Sequence, residues 1–75
     1  MSLAQAPIGA QLRVLSTDAP PALTRRLAEL GIRPGSHVRC VQRCAGGGRV
    51  IDVAGSRIAL GRDVLASILL APVPR

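Results

Sequence analysis

With 75 residues, ten of them Arg, none Lys and only four acidic, the chain amounts to one small domain with a formal charge of +6. A domain of that length buries roughly 60 to 65% of the surface its unfolded form exposes, which leaves a thin core. Phe, Tyr and Trp are all absent, so the core must be aliphatic, and the aromatic platforms on which single-strand nucleic-acid binders stack bases are missing.

Residues 1–9 read as a loose lead-in that ends at Pro7-Ile8-Gly9, with neither the basic start nor the apolar run of a signal peptide. Gln11 to Leu15 alternate polar and apolar residues as a half-buried strand does, with Leu12 and Val14 inward. Each residue before a proline is pushed out of the helical region, so helix is disfavoured at Ala19 and Pro20, while Pro21 suits the first helical position. The helix is expected over Pro21 to Leu30. Its Leu23, Leu27 and Leu30 fall at i, i+4 and i+7 on one face, and so short a helix needs that face docked on the sheet. Gly31 follows where a helix stop favours the left-handed conformation, and Pro34-Gly35 suits the centre of a type II turn.

His37 to Arg43 reads as a second strand, with Val38 and Cys40 on one face and His37, Arg39 and Val41 on the other. Ala45 to Gly48 is a loop tip. Val50 to Val53 returns as an antiparallel partner, and burying Ile51 and Val53 beside Cys40 and Val38 sets a register that places Arg39 opposite Asp52. Gly55-Ser56 makes the next hairpin, and Arg57 to Leu60 a strand with Ile58 and Leu60 inward. Gly61 to Ala66 has room for one helical turn, with Asp63 near its start. Ser67 to Ala71 supplies the last strand, with Ile68 and Leu70 inward, before Pro72 and Pro74 end regular structure. The longest apolar stretch, Val64 to Ala71, is far below the roughly 20 residues that span a bilayer, so a soluble cytoplasmic protein is expected. The fold class is mostly β with one α-helix. Its five short strands form a small, mostly antiparallel barrel, the helix lying between strands 1 and 2, and closure would hide the strand edges.

Arg26-Leu-Ala-Glu-Leu-Gly-Ile-Arg-Pro-Gly-Ser-His-Val38 resembles the hallmark "RLxELGxxPGxxV" segment of the FeoA family, ferrous iron transport protein A. The likeness continues through Val53-Ala-Gly-Ser-Arg-Ile-Ala-Leu60 and the spacing on to Ile68 and Leu70, and it covers about residues 10–71 of a single domain spanning 1–75. It implies an SH3-like barrel that is not an enzyme and that binds and promotes the membrane ferrous iron transporter of the same system, a protein carrying a GTP-binding domain. It also implies no required cofactor, and a peripheral place at the membrane through that partner. Leu27, Leu30, Gly31, Pro34, Gly35, Val38, Leu60 and Ile68 match the family pattern and carry fold. Gly61 departs from it where members often have a basic residue, and Ala45 to Gly48 is shorter than the usual loop with Gly-Asp-Pro.

Chemistry has few candidates. In an extended strand His37 and Cys40 point to opposite faces about 10 Å apart, too far to share an ion held at about 2.0 to 2.3 Å. Cys44 has the parity of Cys40 but lies about 13 Å from it in an extended strand. Cys40 reads as a small buried hydrophobe, and His37 as an exposed imidazole with room for a surface metal ion. One His and four scattered carboxylates form no nucleophile and base constellation. Gly46 to Gly48 lacks the Lys-Ser/Thr ending of a phosphate loop and leads to a strand, not a helix. Surface contacts remain. Arg25, Arg26 and Arg33, on or just beyond the helix and away from its leucines, together with His37, are the candidate partner-binding residues for an acidic protein face or anionic lipid. The positive charge also admits a nucleic-acid-binding barrel, and the iron resemblance a metal-delivering accessory protein. An Arg-only, Ala- and Gly-rich composition is equally what a GC-rich genome produces, and the missing aromatics weigh against nucleic acid.

Overall fold

A computed structural model describes residues 1–73, so Pro74, expected with Pro72 to end regular structure, lies outside the described residues. Five strands, β1 (Gln11–Thr17), β2 (His37–Arg43), β3 (Arg49–Val53), β4 (Ser56–Leu60) and β5 (Ile68–Pro72), form one sheet in the order β4-β3-β2-β1-β5 with every pair antiparallel. Helix α1 (Pro21–Glu29) joins β1 to β2, and a one-turn helix, α2 (Arg62–Ala66), joins β4 to β5. No ladder joins β4 to β5 among the described residues, so the sheet itself stays open. Helix α2 packs instead on β5 and on a 3-10 turn at Leu3–Gln5.

Alternation decides the core. Leu12 and Val14 of β1, Val38 and Cys40 of β2, Ile51 and Val53 of β3, and Ile68 and Leu70 of β5 are all buried and form one cluster. Ile58 and Leu60 of β4 are only half-buried against it. The expected register holds: Val38 pairs with Val53, Arg39 with Asp52 and Cys40 with Ile51. Two bulges interrupt the ladders, at Leu15 of β1 and Val41 of β2. The first leaves both Leu15 and Ser16 exposed, so the alternation ends at Val14.

Helix α1 begins at Pro21, where the missing N–H costs nothing. Leu27 is buried and Leu23 half-buried, but Leu30, expected inward, is 42% exposed. The helix stops one residue sooner than the leucine spacing suggests, and Leu30 is its C-cap. Gly31, at φ +97°, then reverses the chain. Its N–H donates to the Ala28 carbonyl at 3.0 Å and the Ile32 N–H to the Leu27 carbonyl at 2.8 Å, the bond pair of a Schellman ending. Ile32, 1% exposed, fills the core place expected of Leu30. At the next turn the Ser36 N–H donates to the Arg33 carbonyl at 2.9 Å across Pro34 and Gly35, and Gly35 has φ +92°, as a type II turn requires.

Three further expectations are corrected. The β3-β4 turn is Ala54-Gly55, both at positive φ, because Val53 pairs directly with Ser56. Pro72 does not end the sheet but closes β5, opposite Leu12, an end position that needs no ladder donor. Residues 1–9 are not a loose lead-in: Leu3 and Ala6 are buried, Ser2 bridges Leu69, and the Leu70 N–H donates to the Met1 carbonyl at 2.8 Å. This segment covers the outer edge of β5, which would otherwise present unpaired backbone groups.

Candidate functional site

The exposed face of the sheet carries a groove of about 580 Å³ between the Arg33–Ser36 turn and the Ala54-Gly55 hairpin. Its position follows from the backbone devices just described. The Schellman ending and the type II turn raise one wall, the tight β3-β4 turn raises the other, and the outward-facing residues of β1, β2 and β3 form the floor. Gln11, Arg39 and Asp52 lie in one row across those strands, because Gln11 pairs with Arg39 and Arg39 with Asp52.

The electrostatics of that floor are local. An Arg39 Nη2 donates to Asp52 Oδ2 at 3.3 Å, the only ion pair within 4 Å among the described residues. Both side chains retain solvent contact, so the pair contributes a few tenths of a kcal/mol and its main effect is to neutralise the groove floor. Arg33 and His37, both exposed, line the same groove without such a partner and present donors to whatever enters it. Of the four residues that sequence reasoning singled out for partner contact, the fold therefore brings Arg33 and His37 together. Arg25 and Arg26 are exposed on α1 and do not line the groove.

The cysteines behave differently from one another. Cys40 is fully buried and Cys44 is exposed, and neither is in a disulfide. The bulge at Val41 breaks the parity that sequence reasoning carried from Cys40 to Cys44. Among the described residues no group of three or more His, Cys, Asp or Glu is placed to hold a metal ion. No helix of the described residues is long and apolar enough to cross a membrane.

The model of the FeoA domain family matches residues 1–72. The chain belongs to the FeoA domain family. No curated protein sequence matches. Among solved structures, FeoA from Stenotrophomonas maltophilia superposes with a TM-score of 0.81 at 30% identity, covering 95% of this chain and 89% of that one. That relative was crystallised with zinc and is described as a prokaryotic SH3 domain protein and a candidate activating factor of bacterial ferrous iron transport. FeoA from Chlorobium tepidum superposes with a TM-score of 0.90 at 24% identity, covering 99% of this chain and 71% of that one. A manganese-dependent transcriptional repressor shares the fold at a TM-score of 0.85 and 24% identity, with 97% of this chain covered but only 41% of the repressor. The chain is thus a mostly β member of the FeoA domain family with an SH3-like fold.

One strongly placed residue escaped sequence reasoning. Arg49 is the only buried charged side chain among the described residues, 9% exposed, and its Nη1 donates to the Ala6 carbonyl at 2.6 Å. The signal was available: Arg49 has the parity of Ile51 and Val53, which bury their side chains.

Proposed function

We propose that this FeoA-family chain is a non-enzymatic, cytoplasmic accessory protein that docks on the cytoplasmic region of the membrane ferrous iron transporter through the Arg33–His37 groove and promotes its activity. Family membership supports the transport role, and the description of the Stenotrophomonas relative as a transport activating factor supports its direction. The observation that carries the docking surface is the gathering of Arg33 and His37, both exposed, beside an Arg39–Asp52 pair that already satisfies its own charges. An extended acidic segment of the transporter laid along this floor would meet Arg33 from the turn and His37 from β2. Arg25 and Arg26 lie outside the contact and set its approach through long-range charge.

Titrating the transporter's cytoplasmic region against wild-type protein and against Arg33→Glu, His37→Ala and Arg25→Glu/Arg26→Glu tests the reading. Reversal at Arg33 is expected to weaken binding about tenfold or more, with a smaller loss at His37 and a salt-dependent loss at the helix pair. Unchanged binding by Arg33→Glu and His37→Ala would sink the groove as the docking surface.

A surface zinc or ferrous ion at His37 fits as an accessory contact only, since the imidazole supplies one ligand and water or a second molecule must supply the rest.

A further inference from the structure

A second concavity, of about 230 Å³, lies away from the groove and shares no residue with it. Its walls are the Cys44–Gly48 loop, Ala4 of the amino-terminal turn, and three arginines from three separate elements: Arg43 at the end of β2, Arg49 at the start of β3 and Arg62 at the start of α2. No acidic residue lines it, and none of the three forms an ion pair within 4 Å among the described residues.

The arrangement departs from what folding alone favours. Arg43 and Arg49 are directly opposed across the β2-β3 ladder, and like charges so placed destabilise a sheet. They are opposed because of the Val41 bulge: without the extra residue Gln42 would face Arg49, and the repulsion would be absent. Arg49 is buried besides, and a buried cation without a counter-charge is costly. One nitrogen, Nη1, is satisfied by the Ala6 carbonyl, with Cys40 Sγ at 3.7 Å. Among the described residues no buried side-chain nitrogen lacks a partner, so the remaining guanidinium nitrogens reach solvent, and the cleft is where Arg49 meets it. Arg62 is held as well. Its aliphatic stem lies over Gly47, where an added Cβ would come within 2.9 Å of Cδ.

We propose that this cleft binds the phosphate group of a small soluble molecule. Three arginines lining one cleft from three elements suit an anion with several oxygens and more than one charge, because a guanidinium fork can donate paired hydrogen bonds to phosphate oxygens. The cleft holds such a group together with several waters, at about 30 Å³ each. A bound dianion would remove the Arg43–Arg49 repulsion and supply the missing counter-charge of Arg49 in one step.

The test uses the full chain, ¹⁵N-labelled, titrated with inorganic phosphate at ionic strength held constant by chloride. Saturable shifts are expected at the amides of Cys44, Gly47, Gly48 and Arg49. Arg43→Gln and Arg62→Gln, both exposed positions that leave the core intact, are expected to weaken phosphate about fivefold to tenfold each. The double variant should lose saturation, and Arg57→Gln, which removes the same charge elsewhere, should bind as wild type. Acetate, with one charge and two oxygens, should bind more weakly than phosphate. Unsaturable shifts, an equal loss in Arg57→Gln, or acetate binding as tightly as phosphate would each overturn the proposal. So would cosedimentation with phosphatidylcholine vesicles containing phosphatidylglycerol that needs Arg43 and Arg62 in a protein showing no saturable phosphate response.

Discussion

Arg49 reaches across the molecule to the Ala6 carbonyl, 43 residues away in sequence, and the 2.6 Å contact ties the amino-terminal segment to β3. The same segment places Leu3 in the core beside Leu65 and Ile68 and lends its backbone to the β5 edge. One side chain thus links β3, near one edge of the sheet, to the piece of chain that guards the opposite edge at β5. Arg49→Ala leaves the Ala6 carbonyl without its donor and removes a charge-assisted bond, so a loss of about 2 to 3 kcal/mol in urea unfolding is expected. Arg49→Lys, which keeps a charged donor for the Ala6 carbonyl, should lose about 1 kcal/mol. Amide exchange at Leu70 and Gly9, whose N–H groups donate to Met1 and Cys40 carbonyls, should accelerate in Arg49→Ala before global unfolding. Equal exchange in wild type and variant would show that the segment docks without Arg49.

The helix offers a paired test of burial. Leu27 is 1% exposed and Leu30 42% exposed, although both belong to the same leucine spacing. Leu27→Ala is expected to cost about 3 kcal/mol, the usual cost of truncating a buried leucine. Leu30→Lys should change stability by less than about 0.5 kcal/mol. Similar losses at the two positions, measured by denaturant melts, would contradict the helix ending described above.

How far the sequence could be read depended on whether one rule or two acted at a position. Val38, Cys40, Ile51 and Val53 were legible because strand alternation alone decides them, and the register followed, including Arg39 opposite Asp52. Arg33 and His37 were legible as free surface, but the groove that joins them was not, since it depends on the height of two turns. Leu30 misled because helical spacing and the Gly31 stop compete there, and the stop wins. Cys44 misled because the bulge at Val41 adds a residue that no local pattern announces. Leu3 and Ala6 were hidden by brevity: a three-residue turn has no period to detect.

Ala54 takes φ +51° in the two-residue β3-β4 turn, the one non-glycine residue at positive φ among those described. A side chain with an ordinary Cβ is held there at a cost of about 1 to 2 kcal/mol, and Asn-Gly is the pair such turns prefer. Ala54 is exposed, so Asn fits without displacing the core. Ala54→Asn is expected to stabilise the protein by about 0.5 to 1 kcal/mol and raise Tm by about 3 to 6 °C. A lower Tm in a thermal melt would argue against this turn geometry.

Gly31 and Gly35 separate backbone strain from crowding. Both have φ above +90°, so alanine at either pays the left-handed penalty. They differ in what a Cβ meets: nothing within 4 Å at Gly35, but Val53 Cγ1 at 3.1 Å at Gly31. Val53 is buried and hemmed in by the core, so it has little room to yield. Gly31→Ala is therefore expected to cost about 1 kcal/mol or more beyond Gly35→Ala, the scale of a small overpacking. Adding Val53→Ala to each variant completes the test: the pair with Gly31→Ala should be less destabilised than the sum of its parts, whereas the pair with Gly35→Ala should be additive. Additivity in both cycles would mean that Gly31 is required for its backbone angle alone and that the close approach of α1's ending to β3 carries no energy.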